Sequence, residues 1–407
     1  MGIEGLGFKG EGTVTLEGKR LLVPGALPGE RWLVRHARRR GWLEPLTRLV
    51  SSPERAEPVC PHFGSCGGCS LQHLQAHAYE ALKRQNVLGA LRARGVEAPE
   101  PIAFHRSPLH SRRRLRLAFD EGRRPGFHRR HSTEIVPIDC CPIARPEFVA
   151  LLAPLGQLLG HLHCARPGGE ATLTLLDSGV ELVLHLRAQP PLADREALAT
   201  FAAAERLVRL AVAIEGAEPE PLATRLAPIL TIAGWPVELP PAAFLQATAE
   251  GEAALQAFVL RHLEGARRVA DLFSGVGTLS LPLAGRDTRI SAFDDAPALV
   301  AACRHPSIAA SCRDLFRAPL APSELAECDA VLLDPPRAGA EAQVLELAAA
   351  NVSRIVYVSC APPSFARDAA LLVAAGYRLA ALEIVDQFVH SAEVELAAFF
   401  DRSAKGT

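Results

Sequence analysis

Residues 269–284 read VADLFSGVGTLSLPLA, and the fold turns on them. The apolar lead-in to Asp271 reads as a strand, Phe273, Gly275 and Gly277 fall in the loop after it, and Thr278 to Ala284 reads as the opening of a helix. A strand, glycine loop and helix in that order bring backbone N–H groups close to a ligand. The third glycine of a dinucleotide fingerprint is missing, since Leu279 and Ser280 occupy that region. The next predicted strand ends in Asp294 and Asp295, where a carboxylate can take both hydroxyls of a ribose. The combination favours a site for S-adenosylmethionine over one for a nicotinamide cofactor; the plain alternative is an ordinary glycine-bearing turn.

Working outward, strand and helix alternate from Pro241 to the end: RRVADLF, TRISAFD, CDAVLLD and RIVYVS, then YRLAALEIV and VELAAFF. This alternation predicts an α/β fold with a doubly wound parallel sheet over 241–407, and the missing helix between the last two strands predicts an antiparallel closing pair. Residues 1–52 carry short alternating strands with EG and PG turns, which predicts a small OB-like β-barrel. In it the basic run Arg35 to Arg40 lies between Trp32 and Trp42, offering charge for phosphates and rings for bases. A solvated edge with tryptophans in the core explains the same residues equally well. Residues 53–240 read as a central α+β region: a cysteine cluster, a helix from about Ala78 to Arg94, a segment with nine arginines between His105 and Glu134, and a motif-free scaffold of strands and alanine-rich helices. The arginine density marks a candidate phosphate track.

With 407 residues, 49% of them apolar, the chain is too long for one ordinary core and is not of disordered composition. A net charge of -1 excludes a protein basic all over, but leaves room for local basic patches. No apolar run reaches membrane length, and the start MGIEGLGFKG has neither a signal peptide's apolar run nor a myristoylation pattern, so the expectation is a cytoplasmic protein. Ten cysteines there point to metal binding or catalysis before disulfides.

Two further strand ends carry chemistry. In VLLDPPRAGA (331–340) two prolines fix a rigid turn that holds Asp334 at the carboxyl edge of the sheet. Methyltransferases acting on exocyclic amines carry a similar Asp-Pro-Pro followed by an aromatic, whereas here Arg337 follows, which disfavours amine methylation. In RIVYVSCAPPSFARD (354–368) a predicted strand ends in Cys360, and VDQFVHSAEVELAAFF follows with His390, Glu393 and Glu395. A thiolate, a carboxylate and a methyl donor at one edge suit C5 methylation of uracil. That carbon is too weak a nucleophile until a thiolate adds at C6, and a base must then remove the C5 proton so that the thiolate can leave. Cys60, Cys66 and Cys69, threaded with Gly64, Gly67 and Gly68, can wrap one centre together with Cys141 of DCCPI. Four thiolates suit zinc or an iron-sulfur cluster, and spacing does not decide between them.

Taken in order, LPGERW, CPHFGSCGGCSLQHL, IVPIDCCPI, AFLQAT, DLFSGVGTLSLPLA, RDLFRAPL, LDPPRAG, VSCAPPSFARD and DQFVHSAEVE resemble the RNA 5-methyluridine (uracil-C5) methyltransferases, in the iron-sulfur branch that acts on 23S ribosomal RNA. The resemblance implies a class I (Rossmann-like) methyltransferase domain over 241–407, an N-terminal TRAM-type barrel over 1–52 and a cluster-bearing RNA-binding region over 53–240. It implies a [4Fe-4S] cluster on Cys60, Cys66, Cys69 and Cys141, with Cys140 a neighbour. It implies S-adenosylmethionine contacts from Gln246, Asp271, Phe273, Gly275, Gly277, Asp294, Asp314 and Asp334. Asp334 would face the uracil, Cys360 would be the nucleophile and Glu395 the base. Glu393 stays a competitor for that role, because in a strand the two glutamates share a face.

The chain departs from the family pattern in having Ala361 where Asn is usual after the nucleophile, Asp294 where Glu is common, and Val389, Ser391 and Glu393 in place of a Pro, a Thr and a second His. The alternative readings are the tRNA T-loop enzyme of the same family, which typically lacks the cysteine cluster and barrel, and an inert iron-sulfur RNA-binding or assembly factor. A cytosine C5 enzyme would place its nucleophile after a proline, whereas Cys360 follows Ser359. No feature demands more than a monomer.

Overall fold

The computed structural model describes residues 1–402. Eight strands form its largest sheet: β1 Ala103–Arg106, β2 Arg268–Leu272, β3 Arg289–Asp294, β4 Ile308–Cys312, β5 Ala330–Leu333, β6 Arg354–Ser359, β7 Arg378–Asp386 and β8 Glu395–Asp401. Their order is β4-β3-β2-β5-β6-β8-β7-β1. Strands β2 to β6 pair in parallel, and β8 lies antiparallel between β6 and β7, as the sequence pattern predicts. The order reverses between β2 and β5, and in such sheets ligands gather in the crevice outside the carboxyl ends at that point.

Alternation within the strands builds two cores. Val331 and Leu333 of β5, with Ile355 and Tyr357 of β6, face one layer made by Val87 and Leu91 of helix α1 (Ala76–Arg92), Val344 and Leu347 of α3 (Glu341–Ala349), and Phe365 and Leu372 of α4 (Pro362–Ala374). Ala330 and Leu332, with Val356 and Val358, face Leu255, Phe258 and Val259 of α2 (Ala249–Leu263). Burial on both faces is why these strands read as continuous apolar runs.

Three features differ from expectation. Residues 278–284 do not open an α-helix; they form turns and one short 3₁₀ turn at Leu281–Leu283. Pro282 supplies no N–H to continue a helix, and Gly285 leaves in the left-handed region. Strand β4, IAASC, lacks the apolar density that marks its neighbours. Finally, α1 and β1 belong physically to the large sheet: α1 packs in its core, and β1 pairs in parallel with β7 from Glu383↔Ala103 to Asp386↔Arg106. The span 53–240 is therefore not a self-contained unit.

Much of the rest of that span forms a seven-stranded sheet, with Phe148, Leu151 and Leu155 of helix Pro146–His161 packed on Leu173, Leu182 and Leu184, and Ile229–Ile232 pairs with Trp235–Glu238 in a separate hairpin. At the N-terminus a three-stranded and a two-stranded sheet are joined by the bridges Gly2↔Arg31 and Leu22↔Trp42 around Ile3, Val14, Val23 and Leu43. Among the described residues no helix is long and apolar enough to cross a membrane.

Candidate active site

Cys360 stands directly after β6, and the two prolines behind it occupy the first turn of α4. Proline is suited to that position because the N–H it lacks would have no partner there. The strand is thus converted at once into a helix, with Ala361 at the cap and its N–H donated to the Ser359 hydroxyl (3.2 Å). Asp334 follows β5 in the same way, one strand over. Strand β8 runs back along β6 with Ser359 opposite Leu396. Extended by one residue, that register brings Glu395 level with Cys360.

Side-chain amides connect the two carboxylates. Gln387, at the end of β7, donates from Nε2 to Glu395 Oε2 (2.9 Å) and to Gln246 Oε1 (2.6 Å). Gln246 in turn donates from Nε2 to Asp334 Oδ2 (3.1 Å). Gln246, Gln387 and Glu395 are all buried. The segment bearing Gln246 is held by Arg113, whose Nε donates to the Gln246 carbonyl (3.0 Å) and whose guanidinium pairs with Glu252.

Glu393, by contrast, lies in the loop before β8, so the two glutamates do not share a strand face. Its carboxylate pairs with Arg337 at 2.9 Å.

Electrostatics follow from burial and like charge. Burial raises Asp334 to about 7. Burial, then the charge of Asp334, holds Glu395 well above the ordinary range against the lowering effect of Gln387. Cys360 is pushed up to about 11, by burial first and then by Glu395, with Arg337 opposing. Burial thus favours the protonated thiol in the free protein.

Across the crevice, Asp294 accepts the N–H groups of Gly275 (2.8 Å) and Ala296 (3.0 Å), tying the glycine loop to the end of β3. Asp295 is exposed. Phe273, Gly275 and Gly277 all have positive φ. At Gly277 a Cβ would lie 2.8 Å from Cys303 Sγ, which accounts for glycine there. Phe273 is a non-glycine residue in the left-handed region, strain of the kind that concentrates at ligand sites. Its ring lies 5.4 Å from that of Phe316, near Asp314, which accepts the N–H of Phe316 (3.0 Å). Asp271 is buried, with Oδ2 lacking a partner and its acidity weakened to about 7 by burial.

A family model described as tRNA (Uracil-5-)-methyltransferase matches residues 311–403. An RNA methyltransferase of Brucella suis is 39% identical over 97% of this chain and 96% of its own length. The 23S rRNA (uracil(1939)-C(5))-methyltransferase RlmD of Edwardsiella ictaluri is 34% identical over 97% of this chain and 94% of its own. The chain belongs to the RNA uracil-C5 methyltransferase family. Its fold matches the solved tRNA (uracil-54, C5)-methyltransferase of Pyrococcus abyssi, in complex with S-adenosyl-L-homocysteine, with a TM-score of 0.76 at 22% identity over 98% and 99% of the two chains.

In this uracil-C5 methyltransferase Cys60, Cys66, Cys69 and Cys141 line one cavity of about 300 Å³, together with Cys140. Burial raises Cys66 and Cys141 and takes Cys69 to about 12. Cys140 also sits with His62 and Asp139, their ligand atoms within 4.8 Å of one another. Arg337, Phe388, Val389, Ser391 and Glu393 line the same cavity.

The arginine-rich segment is only partly a surface track. Arg113 is buried, Arg112 lines the cysteine cavity, and Arg116, Arg129 and Arg130 pair with Glu170, Glu134 and Glu11.

Sequence reasoning missed Gln387, Arg113 and a buried set on α1. There Tyr79 and Lys83 both donate to Asp386, and Lys83 also donates to the carbonyls of Phe388 (3.2 Å) and Glu393 (2.8 Å). The spacing of Tyr79, Lys83 and Asn86 on the buried side of α1, polar groups where apolar ones are expected, was the available signal.

Proposed function

We propose that this enzyme transfers a methyl group from S-adenosylmethionine to C5 of a uridine in 23S ribosomal RNA. The observation that carries the reading is the convergence of Cys360, Asp334 and Glu395 at one sheet edge beside the glycine loop, two of them joined through Gln246 and Gln387. The relatives named RNA methyltransferase, and RlmD among them, support the substrate class.

S-adenosylmethionine supplies an electrophilic methyl group when bound in the crevice. Asp271, Phe273, Gly275, Gly277, Asp294 and Asp314 would hold it, with Gln246 between it and the base. Asp334 keeps one oxygen on Gln246, leaving the other for the N–H edge of uracil. The Cys360 thiolate adds to C6, and the electron pair of the C5–C6 double bond moves onto O4. C5 of that enolate would take the methyl group as the methyl–sulfur bond breaks and its electron pair stays on sulfur, which leaves S-adenosylhomocysteine. Glu395 then removes the C5 proton, the pair re-forms the C5–C6 double bond, and the thiolate leaves with the electrons of the C–S bond.

Cys60, Cys66, Cys69 and Cys141 would hold a [4Fe-4S] cluster, whose part is to tie the cysteine segment to the wall of the catalytic loop. The four thiols share one cavity, and a metal's charge would offset the effect of burial that raises Cys66, Cys69 and Cys141. We read residues 1–52 as a TRAM-type barrel that meets RNA through exposed Arg38, Arg39 and Arg40, with the Arg39 guanidinium 4.4 Å from the Trp42 ring. The target base would be flipped into the cleft. A ribosomal substrate and a thiol nucleophile fit work in the cytoplasm, and the reading asks for no more than a monomer.

The test is methyl transfer from labelled S-adenosylmethionine to total RNA of a strain lacking this gene, with the labelled nucleoside mapped. Label in 5-methyluridine of 23S RNA is expected. Label in tRNA alone would assign the T-loop activity instead, and absence of label from all RNA would overturn the enzyme reading.

A further inference from the structure

We infer that Gln387 is the positioning residue that assigns the two active-site carboxylates their separate tasks, fixing Glu395 as proton acceptor and, through Gln246, Asp334 as the base-holding group. The inference rests on the proposed roles of Cys360, Asp334 and Glu395.

The argument starts from hydrogen-bond direction. The backbone N–H of Ala247 can only donate, and it lies 2.8 Å from Gln387 Oε1. That fixes the oxygen end of the amide, so Nε2 must face the other way, toward Glu395 and Gln246. With both Nε2 hydrogens used, Gln246 must present its own oxygen to Gln387 and its NH₂ group to Asp334. One backbone donor thus sets the orientation of two side-chain amides, and no flip of either satisfies all partners. Each carboxylate receives one N–H on one oxygen, which leaves the other oxygen of each free for the substrate.

The seat is rigid. Gln387 is 2% exposed, and Gly251 in the first turn of α2 leaves room for it, since a Cβ there would lie 2.9 Å from Gln387 Cβ. Without this device two buried carboxylates and a thiol would share protons freely. An N–H donor favours the ionised form of the carboxylate it reaches, and a base must be ionised to accept the C5 proton. The charged and titratable groups facing Glu395 are Asp334, Cys360 and Arg337. Of the neighbours that stabilise its charge, Arg337 is exposed and paired with Glu393, and Gln387 is the buried one.

The test uses Gln387→Met, which keeps length and volume in an apolar pocket but donates nothing. We expect the maximal rate to fall about 10²-fold, the cost of misplacing a reacting group, with little change in the KM for RNA. We also expect a denaturant-stable adduct between Cys360 and RNA to accumulate, because a methylated base that keeps its C5 proton cannot release the thiolate. The acidic limb of the rate profile should move to higher pH. If the Met variant does not fold, Gln387→Glu serves: it donates only when protonated, so its rate should fall with rising pH where the wild type's rises. A lost rate with no adduct, or a wild-type pH limb in the Met variant, overturns the inference while leaving the reaction intact. Normal turnover in Cys360→Ala and Glu395→Gln would overturn the underlying reaction, and the inference with it.

Discussion

The guanidinium of Arg337 lies 2.9 Å from the carboxylate of Glu393, while Glu395, two residues on, is 4% exposed and bonded to Gln387. One glutamate is a partly exposed ion-pair partner on the wall of the cysteine cavity, and the other is buried level with Cys360. Glu395→Gln is therefore expected to lower turnover by about 10²–10⁴-fold, the usual share of a general base. Glu393→Gln breaks one exposed ion pair and should leave most of the rate. Steady-state methyl transfer with the two variants separates the assignments, and equal losses would contradict this one.

Cys360 gives a pH prediction. Its thiol sits near 11 in the free protein, raised by burial and by Glu395, so the thiolate fraction at neutral pH is small and rises tenfold per pH unit below that value. Alkylation of the Cys360 peptide by iodoacetamide, followed by mass spectrometry, should accelerate steadily from neutral to alkaline pH. Arg337 lowers the thiol, so Arg337→Gln should slow alkylation at every pH in that range. A rate independent of pH would show that the thiol is already ionised. Cys360→Ala should abolish 5-methyluridine formation while RNA still binds in a gel-shift assay.

Lys83 offers a stability prediction. It is fully buried on α1, paired with Asp386, and donates to two carbonyls of the loop that leads into β8. Removing one partner of a buried pair leaves an uncompensated charge, at a cost of about 3–5 kcal/mol. Lys83→Met should lose that much in denaturant unfolding, and Lys83→Met with Asp386→Asn should recover part of it. If the double variant is no more stable than the single, the pair is not the source of the loss.

How much of this was legible in the sequence follows from how each residue acts. The parallel sheet was readable because doubly buried strands such as AVLL and IVYV are apolar throughout, Asp334 because two prolines follow it directly, and Cys360 because two prolines follow after Ala361. β4 was not, because IAASC sits at a sheet edge and carries little apolar signal. Gln387 was invisible for another reason: it works through Gln246, distant in sequence, and pairing across such a separation leaves no local pattern, whereas Lys83 left only the polar spacing on the buried side of α1. The arginine run misled in part because internal ion pairs and phosphate contacts call for the same residue.

The cysteine cavity yields the last prediction. Five cysteines line it, but their settings differ: Cys66, Cys69 and Cys141 are largely withdrawn from solvent with thiols raised by burial, whereas Cys140 turns toward His62 and Asp139. Metal binding requires the thiolate, so a cluster would displace the protons that burial holds on these three thiols. Single Cys→Ser changes at 60, 66, 69 and 141 in anaerobically purified protein should each reduce bound iron and sulfide sharply, while Cys140→Ser should retain both. Arg337, Phe388, Val389, Ser391 and Glu393 line the cavity together with these cysteines and form another part of its wall. Loss of the metal should therefore also loosen that wall, seen as faster amide hydrogen exchange over 387–394, in a segment whose backbone His390 carbonyl is held by the N–H groups of Ser70 (2.8 Å) and Leu71 (2.9 Å) just after Cys69. Equal metal loss in all five variants would make Cys140 a ligand as well, and unchanged exchange in the metal-free protein would separate the cluster from the catalytic loop.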